Sequence, residues 1–235
     1  DEPVLNPSHF NITVGILKCV CLNCHKTRIS RPDKHKVKNM YAFELFKKFK
    51  KDCEKITICS YCNHLLPKII GKEKEMAIFY SFDEKDGEKK KETHLPVSTI
   101  YNIFLSLTNQ DMEDMGFNLN LDFTIMTKDI ELADCKKTHP HQVRPEGFLI
   151  KSLLVQPTNT RPWIITKGGK DSDRKDDDLT ERLNTIIRSN KEVKKIKSGV
   201  NRSGKKKEKT SRQATNILQR KVWPLIHKGK TELKT

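Results

Sequence analysis

No run of about 18 apolar residues, the length that carries a helix across a bilayer, occurs in this chain, so a membrane span is not expected. Residues 1–15 also lack the charged and apolar regions of a secretion signal, which predicts an intracellular protein without membrane partners. Apolar side chains are scarce. With 35% hydrophobic against 32% charged residues over 235 positions, one or two modest cores are expected beside long solvated or partner-covered segments. Two convergent carboxylates on a rigid segment are missing as well, so metal-assisted catalysis by this chain alone is not expected. The run Asp176–Asp178 is no substitute, because adjacent side chains at a helix start diverge, and it is read as N-capping.

Positive charge is what the chain has in excess. The net charge is +16, which points towards polyanions through counterion release. It is unevenly spread: residues 179–235 carry 17 basic and 4 acidic side chains, whereas residues 71–178 carry 16 and 20. The C-terminal quarter is therefore the segment expected to face a polyanion or an acidic partner.

Cysteine usage is the sharpest signal. Cys21/Cys24 and Cys59/Cys62 form two Cys-x-x-Cys pairs, and two such turns close a tetrahedral thiolate shell around one Zn²⁺ with no open position. Such a site is structural. Disulfides are the alternative, disfavoured in an intracellular chain, and His25 and His64, each just past a pair, are possible substitute ligands. Cys19 is read as a small core residue. One cysteine and two histidines, Cys135, His139 and His141, invite a second metal site but lack a nearby second cysteine.

Taken in order, Phe10–Leu17 reads as a strand leading into the first pair, and residues 39–53 as a helix with Met40, Phe43, Leu45, Phe46 and Phe49 inward. Residues 65–70 leave the second pair extended, and residues 71–94 form a hairpin with a charged tip at 83–93. Ser98–Leu107 is a short helix with Ser98 as its N-cap, and Asp111–Phe117 another, stopped by Gly116. The apolar run from Phe148 through Leu153, Leu154 and Val155 reads as a buried strand, followed by a second extended piece at 161–165. From Leu179 the period becomes helical, with Leu179, Leu183, Ile186 and Ile187 on one face. Ala214, Ile217, Leu218, Val222 and Leu225 mark a second amphipathic helix beyond the Lys-rich stretch 198–209. Two narrow apolar stripes joined by a polar connection predict an antiparallel coiled-coil hairpin with a basic tip.

These residues, in this order, resemble the N-terminal clamp of the largest subunit of multisubunit DNA-directed RNA polymerase. The resemblance is carried by Ile16-Leu17-Lys18-Cys19-Val20-Cys21-x-x-Cys24, by Cys62 with Pro67-Lys68-Ile69, and by Ile100–Phe104 with Met115–Asn118. Arg144-Pro145-Glu146, Arg161-Pro162, Asp177–Thr180 with Leu183, and Asn216–Gln219 continue it, so it covers nearly the whole chain. It implies an α+β fold: a zinc-stapled clamp module with a small mixed sheet and short helices, plus the coiled-coil hairpin. The expected segments are 1–70, zinc-binding; 71–159, clamp head with hairpin and insert; 160–178, lid; and 179–235, coiled coil and the start of the following loop. The lid would face the RNA–DNA hybrid with Arg161, Lys167, Lys170, Arg174 and Lys175. The coiled coil would dock initiation factors and NusG-type elongation factors through Arg188, Lys191, Lys194, Lys195, Arg202, Lys205, Lys206 and Lys207.

The resemblance also implies DNA, the second-largest subunit and other polymerase subunits as partners. Nucleotidyl transfer, with its Mg²⁺, would belong to the parent enzyme outside this chain, so this segment should be inactive alone. The Lys-rich tip, the insert at about 119–143 and the sequence Val155–Thr160 before the lid depart from the family pattern and point to a divergent enzyme, such as that of a large DNA virus. The compartment would then be the cytoplasm or virion, and the nucleus for a cellular eukaryotic enzyme. A free-standing zinc-ribbon nucleic-acid-binding protein would account for the cysteines and the charge, but not for the collinear lid and coiled-coil segments.

Overall fold

Residues 2–29, 42–82, 92–117, 144–161, 164–165, 174–198 and 211–226 are described in a computed structural model. At the centre lies a helix, α1 (Phe10–Cys19), and not the strand read from the β-branched residues Ile12, Thr13, Val14 and Ile16. The local start signal is Asn6-Pro7: the Asn6 side chain accepts the Ser8 N–H, and Pro7 opens a 3-10 turn that runs into α1. Burial on several sides then overrides strand propensity, since Phe10, Ile16, Leu17 and Cys19 all lie in the main core.

Around α1 pack α2 (Ala42–Cys53) and a three-stranded antiparallel sheet ordered β2 (Lys68–Lys72), β3 (Ala77–Ser81), β4 (Thr93–His94). Close approach depends on two glycines. A Cβ on Gly15 would stand 2.8 Å from the Phe46 ring, and one on Gly71 would stand 2.6 Å from Val14 Cγ2. In α2, Leu45, Phe46 and Phe49 are buried as expected, but Phe43 is 65% exposed beneath the Lys47 ammonium. The anticipated hairpin is the β3–β4 pair, its residues 83–91 lying outside the described set.

Two short helices, α3 (Val97–Ser106) and α4 (Asn109–Asp114), complete this core with Ile100, Ile103, Phe104 and Met112. The N-cap of α3 is Pro96 and not Ser98, whereas α4 starts with a reciprocal capping box between Thr108 and Asp111. Gly116 (φ 92°) follows α4 in the left-handed region expected of a helix stop. Arg144 then pins the α3–α4 corner: its guanidinium donates to the Leu107 carbonyl (2.9 Å) and the Asn109 side chain (3.1 Å).

The apolar run after Phe148 is not one buried strand. Only β5 (Leu149–Ile150) forms, pairing antiparallel with β1 (Val4–Leu5), while Leu154 is 96% exposed. Beyond it, β6 (Ile164–Ile165) pairs with β7 (Arg174–Lys175). Two longer helices follow, α5 (Asp178–Lys197) and α6 (Ser211–Ile226). The Arg182 guanidinium donates to the Pro224 carbonyl, so the start of α5 lies beside the end of α6 and the two run antiparallel. Their seam buries Leu183, Ile186, Val193, Ala214, Leu218 and Val222, whereas Ile187 is half exposed. The seam is shared with Val4, so the pair packs onto the β1–β5 ribbon.

Candidate functional site

The two Cys-x-x-Cys turns have the same local construction. In the first, Cys21 N–H donates to the Lys26 carbonyl (2.9 Å) and His25 N–H to the Cys21 carbonyl (3.0 Å); in the second, Cys59 N–H donates to His64 (2.9 Å) and Asn63 N–H to Cys59 (2.9 Å). Each turn closes on one left-handed residue, His25 (φ 61°) or Asn63 (φ 53°). Single antiparallel bridges, Val20 with Thr27 and Ile58 with Leu65, flank them.

The result is a cluster of four sulfurs, all within 4.8 Å of one another, which could hold a metal ion. Cys21 Sγ stands 3.6 Å from Cys62 Sγ, and Cys24 Sγ 3.6 Å from Cys59 Sγ. Thiolates at about 2.3 Å from a tetrahedral centre would stand about 3.8 Å apart, so the spacing fits four-coordinate metal. It is far beyond a disulfide bond of about 2.0 Å. Cys21 and Cys59 are buried, Cys24 and Cys62 partly so. Without the charge of a metal, burial pushes the Cys24 thiol up to about 12 and raises Cys21 as well. Cys62, which accepts the His64 N–H, falls to about 6. A divalent cation fits this donor set because it stabilises the thiolates that burial disfavours.

Neither histidine joins the cluster. The His25 Nδ1 is hydrogen-bonded to Ser106 Oγ (2.9 Å), and His64 is exposed. Cys19 is fully buried core, as expected, at the end of α1 beside Cys53. Cys135, His139 and His141 lie outside the described residues.

Arg28 was missed by sequence reasoning. It is buried, and its Nε donates to the Val20 carbonyl (3.2 Å) while Nη2 donates to the Pro67 carbonyl (3.1 Å). It therefore ties the exit of the first turn to the exit of the second and puts a cation behind the thiol cluster. Its only sequence signal is its position four residues after Cys24.

The basic residues divide less evenly. The Arg161 Nη1 donates to Thr180 Oγ1 (3.1 Å), placing this guanidinium against the first turn of α5; its Nε is buried without a partner. There Asp177 is the N-cap expected of the aspartate run, accepting the Thr180 N–H at 2.8 Å. The Thr180 hydrogen bonds, helped by the charge of Arg161, hold the Asp177 carboxyl below its ordinary range. Arg174 and Lys175 form β7, while Lys167 and Lys170 lie outside the described residues. Arg188, Lys191, Lys194 and Lys195 occupy the exposed face of α5; Arg202, Lys205, Lys206 and Lys207 fall outside the described residues.

A second unforeseen residue, Gln219, fixes α6. Its Oε1 accepts the Leu5 N–H (2.6 Å) and its Nε2 donates to the Leu5 carbonyl (2.8 Å), so one buried amide satisfies both backbone groups of a residue 214 positions away. No helix among the described residues is long and apolar enough to cross a membrane.

Fold and site together define an α+β module whose four-cysteine centre can hold a metal ion, joined to a basic pair of helices. The family model RNA polymerase Rpb1, domain 1, matches residues 120–235. DNA-directed RNA polymerase subunit 1 of Acanthamoeba polyphaga mimivirus is 28% identical over 213 residues, covering 83% of this chain and 13% of that protein. Subunit Rpo1N of Methanocaldococcus jannaschii is 24% identical over 235 residues (96% of this chain, 14% of that protein). The RNA polymerase II subunit RPB1 of Euplotoides octocarinatus is 28% identical over 208 residues (85% and 40%). The chain is thus similar to the N-terminal region of the largest subunit of DNA-directed RNA polymerase. It spans only a minor part of each of these relatives.

Proposed function

We propose that this chain is the clamp segment of the largest subunit of a DNA-directed RNA polymerase, closing one side of the cleft that holds DNA and the RNA–DNA hybrid. The observation that carries the reading is order: a four-thiol cluster, a head of short helices, the β6–β7 ribbon and an antiparallel helical pair follow one another as the family resemblance requires. One Zn²⁺ held by Cys21, Cys24, Cys59 and Cys62 supplies structure only, because four protein ligands leave no position for a reactant. Nucleotidyl transfer, with its Mg²⁺, belongs to the parent enzyme outside this chain, and the second-largest subunit is a partner. The compartment is intracellular: the cytoplasm or virion for a viral enzyme, the nucleus for a cellular eukaryotic one.

Within this reading, residues 160–178, which include β6 and β7, are the lid, separating RNA from the template strand with Arg161, Lys167, Lys170, Arg174 and Lys175. Arg161 serves as its anchor on α5. Deleting residues 167–175 from the assembled polymerase is expected to lengthen the hybrid or impair RNA displacement; normal hybrid length and RNA release would remove the lid assignment. The α5–α6 pair, with Arg188, Lys191, Lys194 and Lys195 outward and Arg202, Lys205, Lys206 and Lys207 in its connection, docks initiation and NusG-type elongation factors. Charge reversal at Lys205, Lys206 and Lys207 separates the possibilities. Loss of elongation-factor binding with duplex affinity intact supports docking, and the opposite result makes the connection a DNA contact.

A further inference from the structure

A cavity of about 400 Å³ lies between the β3–β4 edge of the sheet, the start of α3 and the first turns of α6. Its size falls within the range of small-molecule sites, roughly 300–1,000 Å³. The floor is apolar and buried: Leu5, Met76, Ile78, Leu95 and Val97. The rim is polar and carries a net positive charge. Glu2, the carboxylate at the rim, is held in an ion pair by Lys197, which leaves Arg212 without an ion pair among the described residues. Beside it stands His94, whose imidazole is held below its ordinary value by burial and by the Arg212 charge, and is therefore neutral at pH 7. Pro96, Val97 and Ser98 also line the cavity, and the α3 start they form has no side-chain cap. The amides of its first turn and its dipole add positive potential.

An apolar floor under a guanidinium that forms no ion pair with a described residue selects against three classes of ligand. A cation meets Arg212, a neutral molecule leaves that guanidinium unmatched, and a bare inorganic anion leaves the floor uncovered. We propose that this cavity binds a small organic anion, whose charged head pairs with Arg212 at the start of α3 and whose apolar body covers Leu5, Ile78 and Leu95. The ligand would touch the sheet and α6 together, and so bridge the two halves of the molecule independently of the metal centre.

The test is fluorescence titration of the full 235-residue chain with 8-anilinonaphthalene-1-sulfonate, an anion with an apolar ring body. Saturable binding is expected, weakened at least tenfold by Arg212→Ala, restored in part by Arg212→Lys, and abolished by Thr215→Trp, which fills the cavity. Metal content and helix ellipticity, measured on each variant, separate a lost site from a lost fold; Arg212 is exposed, so its truncation leaves the fold intact. Competition then identifies the head group. Displacement by octanoate and not by AMP specifies a carboxylate ligand, and the reverse specifies an organic phosphate. Unsaturable binding, binding unchanged in Arg212→Ala, or equal competition by inorganic phosphate would overturn the proposal.

Discussion

The module around α1 and the α5–α6 pair are stabilised in opposite ways. Around α1 the largest fully buried side chains gather, Phe104, Ile16, Leu17, Ile78 and Ile100 among them, and a four-thiol centre closes one end. The helical pair has a seam of Leu183, Ile186, Val193, Ala214, Leu218 and Val222, interrupted by the polar Ser189 and Gln219, with lysines and arginines outside. A chain with this little apolar material cannot build two deep cores. It builds one, closes it with a four-cysteine cluster, and packs a charged pair of helices on its edge through Val4, Leu5 and a single glutamine.

Metal removal should break the comparison most. Structural zinc is worth about 10–16 kcal/mol in small metal-dependent folds, so Cys59→Ser should release the metal and unfold residues 15–70. Hydrogen exchange and metal analysis check this. Retention of a full metal equivalent in Cys59→Ser, with loss in Cys53→Ser, would reverse the ligand assignment.

Truncation of the two cores sharpens the contrast. Phe104→Ala should cost about 3–5 kcal/mol and Leu218→Ala, at the edge of a shallower seam, nearer the low end of about 2–5 kcal/mol. Denaturant titration of both variants measures the difference, and an equal cost would mean that the two regions are equally well packed. Gln219→Leu should cost a comparable amount, about 1–3 kcal/mol for each Leu5 group left without its partner. Its signature is local: faster exchange of the Leu5 amide and of α6, with α1 unaffected.

The smallest effect concerns pH. Because the folded-state pKa of Asp177 is lowered, its contribution is present above the ordinary carboxylate range and is lost as pH falls through the lowered value. The first turn of α5 should therefore fray in acid, and Asp177→Asn should flatten that dependence. An NMR titration of the Thr180 amide measures it directly.

Short-range patterns were legible because their physics is short-range. The Cys-x-x-Cys spacing defines its own turn, Asp177 caps the helix it precedes, and Leu183, Ile186 and Leu218 repeat at helical intervals. Misreadings occurred where a segment's neighbours decide. Leu153, Leu154 and Val155 look like a strand but have no partner strand among the described residues, and Phe43 follows the helical stripe onto solvent, where Lys47 covers it.

By itself the sequence determined the two Cys-x-x-Cys turns, the basic C-terminal quarter, the start of α5 and the collinear likeness to a polymerase clamp, since each rests on residues within a few positions of one another or on simple order. Tertiary structure alone decided that Phe10–Cys19 is a helix, that Arg28 spans both cysteine turns and that Gln219 holds Leu5. In these cases the deciding partner is remote in the chain. A buried β-branched segment takes the conformation its neighbours can pack, and a buried polar side chain belongs wherever an unpaired peptide group needs it.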